Sequence, residues 1–195
     1  MSGDKLRLFT AVRVPRPQLE WLDAAIRDLK TLPGARWTAL DNQHVTLNFL
    51  GWVEGPALDR VTAATDAAAD AHAPASASLQ GLGAFPNERR ARVLWAGISD
   101  PARLLPALAA DLGARLGVVG YEPERRPYTA HLTLARLKAP LSVAGTLPSL
   151  PSSPGPFAVD RITLFRSRLS PAGARYEVVH EAYLSGSAAS DGGSQ

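Results

Sequence analysis

The sequence contains no cysteine, which excludes disulfides, thiolate metal sites and cysteine nucleophiles. Lysine is scarce and occurs only at Lys5, Lys30 and Lys138, so arginine supplies nearly all of the positive charge. No apolar run approaches the roughly 18 residues that a membrane-spanning helix needs. The opening residues, MSGDKLRLF, also lack the apolar stretch of a signal peptide. We therefore expect a soluble, cytoplasmic protein with no membrane partner.

The rest of the composition is that of an ordinary globular domain. The 195 residues are 46% hydrophobic and 20% charged, and the net charge of +3 is mild. Such a charge favours anionic partners without naming one. We expect a monomer with a single domain over residues 1–184. A flexible tail over residues 185–195 should follow, because SGSAASDGGSQ offers no side chain that could form a core.

Strand and helix patterns alternate irregularly along the chain. The predicted helices follow Pro15, cover Ala57–Ala71, and run from Pro101 to about Leu116. A short extended segment is expected at Trp37, and the longer predicted strands are Leu6–Val14, His44–Leu50, Ala77–Leu82, Arg92–Ile98, His131–Leu137, Phe157–Phe165 and Arg175–Tyr183. Several strands are close neighbours in the chain, as in antiparallel ribbons. This order favours an α+β fold over a doubly wound parallel sheet.

An imperfect tetrapeptide repeat is the most informative feature of the sequence. His-Val-Thr-Leu at residues 44–47 returns 87 residues later as His-Leu-Thr-Leu at residues 131–134. Two copies, one in each half, suggest a duplicated, pseudo-twofold architecture. Side chains two apart on a strand share a face. Each copy can therefore present an imidazole and a hydroxyl to a shared cleft, while its aliphatic residues anchor the strand in a core.

Two imidazoles and two hydroxyls suit chemistry at a phosphate diester. Imidazoles can act as an acid–base pair near pH 7, and the hydroxyls of Thr46 and Thr133 with an arginine can hold phosphate oxygens. Arg136 is the nearest candidate arginine. The sequence has no recognisable metal-ligand motif, and we expect no metal site. These parts suffice for opening a cyclic phosphate by in-line displacement. The alternative is that two structural histidines occur on similar strands by coincidence.

Strand parity leaves three neighbouring residues ambiguous. Simple alternation places Arg136 on the face opposite to His131, so phosphate binding by Arg136 requires a twist or a bulge near Ala135. The same parity places Phe49 in the core, with stacking on a nucleobase as the functional alternative. Tyr128, three residues before His131, either lines the cleft or only packs against the core.

At these residues the chain resembles the two-histidine (2H) phosphoesterase superfamily. Within it, the chain is most similar to bacterial and archaeal RNA 2′,3′-cyclic phosphodiesterases, also called 2′–5′ RNA ligases. The resemblance covers about residues 6–184 and is carried by RLFTAVRVP, RWTALDNQHVTLNFLG, GLGAFPNERRARVLWAGI, RPYTAHLTLAR and FAVDRITLFRSRL. It implies a bilobal, pseudo-twofold α+β fold. Antiparallel sheets should line a central cleft, with helices on the outside.

The resemblance also implies site residues and an activity. His44 and His131 match the catalytic histidines, Thr46 and Thr133 the phosphate-contacting threonines, and Phe49 and Arg136 an aromatic and an arginine of the family pattern. The expected reaction is hydrolysis of RNA 2′,3′-cyclic phosphate ends to 2′-phosphomonoesters without a metal or other cofactor. For this direction we assign His44 as the general acid and His131 as the general base. Two alternatives remain: a reversible 2′–5′ RNA ligase, and an RNA- or nucleotide-binding module without turnover.

Overall fold

The computed structural model describes residues 5–122, 126–151, 154–170 and 173–187. The helices are α1 (Arg16–Ala25), α2 (Leu58–Asp70) and α3 (Leu104–Val118). The strands are β1 (Lys5–Arg13), β2 (Ala35–Trp37), β3 (His44–Glu54), β4 (Ala75–Phe85), β5 (Ala91–Ser99), β6 (His131–Leu141), β7 (Phe157–Val159), β8 (Arg161–Ser170) and β9 (Gly173–Tyr183). The strand expected over residues 157–165 is thus two strands. The third helix begins three residues after Pro101.

All strand pairs are antiparallel, and their order is β7-β4-β5-β6-β3-β1-β8-β9, with β2 added alongside β6. We call β3, β1, β8 and β9 the first lobe. The second lobe is β6, β5, β4 and β7 with β2. Within the described residues, three α-helices accompany this long curled sheet. The predicted α+β class is confirmed.

The two lobes meet between β3 and β6, where Val45 lies directly opposite Leu132. These two residues occupy the same position in the two copies of the tetrapeptide repeat. An antiparallel pair centred on equivalent residues relates its two strands by a local twofold axis. The predicted pseudo-twofold arrangement is therefore present in the backbone, and both motifs lie at the centre of the sheet.

The main hydrophobic core lies between the sheet and the helices. Val45, Leu47, Leu132 and Leu134 from the two repeats are buried in it, as strand parity predicted, together with α3 residues such as Leu108. Burying a side chain of this size contributes about 1.5–3 kcal/mol each. The histidines of the repeats lie on the other face of the sheet, which we call the motif face.

A bulge in each motif strand changes the face of the residues that follow. On β5, Val93, Trp95 and Gly97 alternate regularly and share one face. The residues opposite them on β6 are Arg136, Thr133 and His131. Leu134 is left over as a bulge, so Arg136 returns to the motif face. The parity-based placement of Arg136 on the opposite face is wrong, and the bulge that phosphate binding required is present.

The first lobe repeats this arrangement. Phe9, Ala11 and Arg13 alternate along β1 and lie opposite Phe49, Thr46 and His44 on β3. Leu47 is the extra residue, so Phe49 lies on the motif face and is 52% exposed. The expectation that parity places Phe49 in the core is therefore wrong, because the alternation is interrupted at Leu47.

After the last strand, the chain contacts the C-terminal end of helix α2. The Ser185 hydroxyl donates to a carboxylate oxygen of Asp70, and the Gly186 N–H donates to the carbonyl oxygen of His72. Residues 188–195 of the expected tail lie outside the described residues. Within the described ranges, no helix has the length and apolar character needed to cross a membrane.

Candidate active site

The two motif histidines are held by the same backbone contact. The Nδ1 atom of His44 lies 2.9 Å from the carbonyl oxygen of Asn42, and that of His131 lies 2.7 Å from the carbonyl oxygen of Thr129. A carbonyl oxygen can only accept, so each Nδ1 carries the proton and donates it. Neither Nε2 has a hydrogen-bond partner among the described residues, which leaves both Nε2 atoms available to a substrate.

His44 lies in an aromatic cage that is specific to the first lobe. Its ring stacks on Phe9 at 4.7 Å and meets Tyr176 edge-on at 5.3 Å, with Phe165 6.0 Å away. Burial lowers the pKa of His44 from 6.5 to about 4, because the charged imidazole loses its water. The Asn42 carbonyl partly offsets this effect, and the proximity of His131 adds to it. His44 is therefore neutral near pH 7 in the ligand-free protein.

His131 has a different aromatic environment. Phe85 meets its ring edge-on at 5.0 Å, and Trp95 lies 6.4 Å away. The Trp95 ring covers Gly83 so closely that a Cβ atom at position 83 would overlap it. Gly83 thus allows Trp95 to pack closely against β4 beside the histidine. Each lobe supports its imidazole with aromatic rings, but the rings come from different strands.

Thr46 and Thr133 lie two residues after the histidines on the same face. Both are half-buried. Their hydroxyl groups form no hydrogen bond within the part of the chain that the structure describes. Two free hydroxyls beside two free Nε2 atoms match the arrangement that the repeat predicted. Such a group can donate hydrogen bonds to the oxygens of a bound phosphate.

Tyr128 connects the two motif strands. Its hydroxyl donates to the carbonyl oxygen of Thr46 at 3.1 Å, and its half-buried ring packs against the main core. Burial, with a smaller contribution from the negative charge of Asp100, raises the pKa of Tyr128 well above its usual value. The phenol therefore remains a protonated donor. Of the two roles considered for Tyr128, this geometry favours packing and positioning over lining of the cleft.

Arg7 also lies on the motif face, and it was not among the site residues predicted from the sequence. Its guanidinium lies 4.6 Å from the centre of the Phe49 ring and donates to the Ser167 hydroxyl at 3.0 Å. Trp52 lies directly opposite Arg7 and is 64% exposed. Arginine and aromatic side chains interleaved on an open face are typical of surfaces that bind single-stranded nucleic acid.

Sequence reasoning missed Arg7 together with the cage residues Phe9, Phe165 and Tyr176. A signal existed in β1, where alternation puts Arg7, Phe9, Ala11 and Arg13 on one side. That alternation does not say which side faces the histidines, because this depends on pairing with β3. Phe165 and Tyr176 are distant in sequence and reach the site only through the order of the strands.

The other two histidines pair with carboxylates away from the motifs. The Nε2 atom of His72 lies 3.2 Å from Asp111, and that of His180 lies 2.6 Å from Asp66 on α2. These contacts are typical of histidines with a structural or surface role. Within the described ranges, no group of three or more histidine, cysteine, aspartate or glutamate residues could hold a metal ion.

The fold and the paired motifs define the class of two-histidine phosphoesterases. Residues 15–170 match the 2′-5′ RNA ligase superfamily, and the chain belongs to that superfamily. An RNA 2′,3′-cyclic phosphodiesterase of Methanothermobacter thermautotrophicus is 30% identical over 179 residues, covering 88% of this chain and 95% of the relative. One of Geobacillus stearothermophilus is 33% identical over 152 residues, covering 76% of this chain. The match covers only 48% of that relative, so the chain spans about half its length.

Two solved structures are also similar to this chain over most of its length. The crystal structure of TT0787 of Thermus thermophilus has a TM-score of 0.79 and 31% identity, covering 93% of this chain and 99% of that one. Escherichia coli LigT complexed with 3′-AMP has a TM-score of 0.76 and 28% identity over the same shares of the two chains. A protein with a similar fold therefore binds a nucleotide.

Proposed function

We propose that the protein hydrolyses RNA 2′,3′-cyclic phosphate ends and leaves 2′-phosphomonoesters. The observation that carries this proposal is the pair of His-x-Thr motifs on one face, related by the local twofold axis at Val45 and Leu132. The names of the relatives support the same reaction. We further propose that the protein acts as a monomer, since both motifs come from one chain, and that it acts in the cytoplasm. Size-exclusion chromatography with light scattering tests the monomer.

The proposed chemistry needs two proton transfers. Nε2 of His131 takes a proton from water while the water oxygen forms a bond to phosphorus. The bond from phosphorus to O3′ breaks on the other side, and Nε2 of His44 gives a proton to O3′. The products are a 2′-phosphomonoester and a free 3′-hydroxyl. General acid–base steps of this kind contribute about 10²–10⁴ each in rate.

The other proposed site residues bind and position the substrate. Thr46 and Thr133 donate to the phosphate oxygens, while Arg136 supplies positive charge on the same face. Phe49, with Arg7 above its ring, provides a surface on which a nucleobase can stack. Tyr128 acts through the backbone of Thr46.

The proposed acid must be protonated when it acts. His44 is neutral near pH 7 in the ligand-free protein, because burial lowers its pKa to about 4. A cyclic phosphate carries a negative charge, and an opposite charge within about 4–6 Å favours the protonated imidazole. Substrate binding therefore favours uptake of the proton that His44 later gives to O3′.

Phosphorus NMR of a short RNA ending in a 2′,3′-cyclic phosphate, incubated with the protein in excess EDTA, tests the reaction directly. We expect conversion to a single 2′-phosphomonoester at an unchanged rate when EDTA is added. A 3′-phosphate product would reverse the choice of leaving group. Tight nucleotide binding by calorimetry without any conversion would support the binding module instead.

The superfamily match also raises RNA ligation as a second candidate, in which a hydroxyl of a second RNA replaces water as the nucleophile. One histidine would then take the proton of that hydroxyl while it bonds to phosphorus, and the other would protonate the departing O3′. A time course with a 5′-hydroxyl acceptor RNA and a cyclic phosphate donor separates the two reactions. We expect hydrolysed donor to accumulate, while a growing 2′–5′-linked product would identify a ligase.

A further inference from the structure

A second bulge in β3 turns a tryptophan toward solvent. Trp52 lies three residues after Phe49, so simple alternation would place it on the core side of the sheet. The pairing with β1 instead leaves Leu50 as an extra residue, and Gly51 beside it has a φ of 73°, which favours glycine. Trp52 therefore lies on the motif face and is 64% exposed, while the following Val53 is fully buried.

Trp52 continues a row of motif-face positions that begins in the first His-x-Thr motif. The members of the row and their partners on β1 are Thr46 with Ala11, Phe49 with Phe9, and Trp52 with Arg7. Each step covers two residues of β1, which is about 7 Å at roughly 3.4 Å per residue. The row thus leads away from the proposed phosphate site in two short steps, and each step ends at an exposed aromatic ring.

The two rings are accompanied by a positive charge that no carboxylate offsets. Arg7 is the direct cross-strand partner of Trp52, and its guanidinium lies 4.6 Å from the centre of the Phe49 ring. Among the residues that the structure describes, Arg7 forms no ion pair. The one acidic residue of β3, Glu54, is paired with Lys5 at 2.7 Å. An apolar surface with uncompensated positive charge suits the bases and phosphates of a nucleic acid.

We propose that Trp52 stacks on the base of the nucleotide that precedes the cyclic-phosphate end, next to the terminal base on Phe49. Successive bases stack on successive aromatic side chains in sites for single-stranded nucleic acid, and any base can do so because each has a π face. The inference rests on the proposed function and deepens it, because the preferred substrate becomes an RNA of at least two nucleotides. Trp52 then determines specificity for substrate length and takes no part in the proton transfers.

Three substrates test this assignment by their kcat/KM values. They are a nucleoside 2′,3′-cyclic phosphate, a dinucleotide with the same end, and that dinucleotide with an abasic 5′ nucleotide, which keeps the linking phosphate. We expect the wild-type protein to prefer the intact dinucleotide over the abasic one by about tenfold. This preference should largely disappear in Trp52→Ala and persist in part in Trp52→Phe. The matched control is Tyr183→Ala, which removes an exposed ring from the last position of β9 and should keep the wild-type preference.

The outcomes are distinguishable from failure of the proposed function. Equal use of the intact and the abasic dinucleotide by the wild-type protein would overturn the inference, whether or not any variant folds. An equal loss on all three substrates in Trp52→Ala would place Trp52 at the reacting nucleotide and would also overturn it. Inactivity of the wild-type protein on all three would overturn the proposed function itself.

Stacking can also be measured without turnover. The probe is the product dinucleotide with a 2′-phosphate, with 2-aminopurine as its 5′ base and uracil as its terminal base. Stacking on an aromatic ring quenches 2-aminopurine emission, so saturating wild-type protein should quench the probe more than saturating Trp52→Ala does. Equal quenching by the two proteins would contradict the inference. The Tm of ligand-free Trp52→Ala should change little, because the ring is exposed, whereas a large loss would show a structural role and contradict the inference.

Discussion

The two lobes have the same backbone plan but different side-chain chemistry. Each has a motif strand with a bulge after the threonine, at Leu47 in one lobe and Leu134 in the other. The residue that the bulge returns to the motif face is Phe49 in the first lobe and Arg136 in the second. An aromatic ring suits a base and a guanidinium suits a phosphate. The duplicated backbone thus supplies two equivalent imidazoles, while under the proposed function its flanking residues recognise the two unlike parts of a nucleotide.

The surroundings of the two histidines also differ between the lobes. Phe9, Phe165 and Tyr176 surround His44. Phe9 and Phe165 belong to a small buried cluster that is separate from the main core, and the partly buried Tyr176 packs against it. Burial there lowers the pKa of His44 to about 4. In the second lobe, Phe85 and Trp95 flank His131. Equivalent positions in the repeat therefore have different surroundings, and the following predictions test how far the lobes differ.

The largest expected effect is loss of either imidazole. His44→Ala and His131→Ala should each lower kcat by about 10²–10⁴, because each removes one proton transfer. A cyclic substrate with sulfur in place of O3′ separates the roles, since a thiolate leaves without a proton. We expect this substrate to restore much of the activity of His44→Ala and little of that of His131→Ala. Rescue of the opposite variant would exchange the acid and the base.

Removal of the motif hydroxyls comes next. Thr46→Val and Thr133→Val keep the side-chain shape and the β propensity but remove a donor. Each should lower kcat/KM by about 10–100-fold, as expected for a lost hydrogen bond to a charged group at about 1.5–3 kcal/mol. Steady-state kinetics on one cyclic-phosphate substrate provide the measurement. Wild-type kinetics in both variants would remove the threonines from the site, and a loss in only one would show that a single lobe holds the phosphate.

A smaller effect is expected at the aromatic position of the first lobe. Phe49→Ala should raise KM for a cyclic-phosphate substrate by about tenfold, since stacking of one base contributes roughly 1–3 kcal/mol. The value of kcat should change little, because Phe49 takes no part in proton transfer. Val118→Ala is the control, since Val118 is an exposed apolar residue at the end of α3. An unchanged KM in Phe49→Ala would contradict base recognition by the first lobe.

The smallest change is a shift in proton affinity. Histidine NMR titration should show the His44 ring neutral until the pH approaches about 4. Tyr176→Leu opens the cage to water and should raise the pKa of His44 toward 6.5. The depressed pKa also means that the folded protein loses stability as the pH falls from 6.5 toward 4, because only the unfolded chain binds the proton readily there. A His44 resonance that titrates near 6.5 in the wild-type protein would contradict the cage.

The fold class and the four motif residues of the candidate site could be predicted because they depend on local sequence patterns. The repeat identified His44, Thr46, His131 and Thr133, and strand alternation gave the face that each takes. Alternation placed Phe49 and Arg136 on the wrong face. A bulge depends on how two strands pair, so the sequence of one strand alone does not reveal it.

The bulge at Leu134 makes β6 sensitive to length as well as to composition. A side-chain period of two means that losing one residue exchanges the two faces of everything beyond it. Deletion at this point would turn Arg136 and Lys138 toward the core and the buried Leu137 toward solvent. Conservative substitutions within the strand keep that frame, whereas an insertion or deletion shifts it. During divergence of this chain, the spacing between His131 and Arg136 should therefore change more rarely than the residues that fill it.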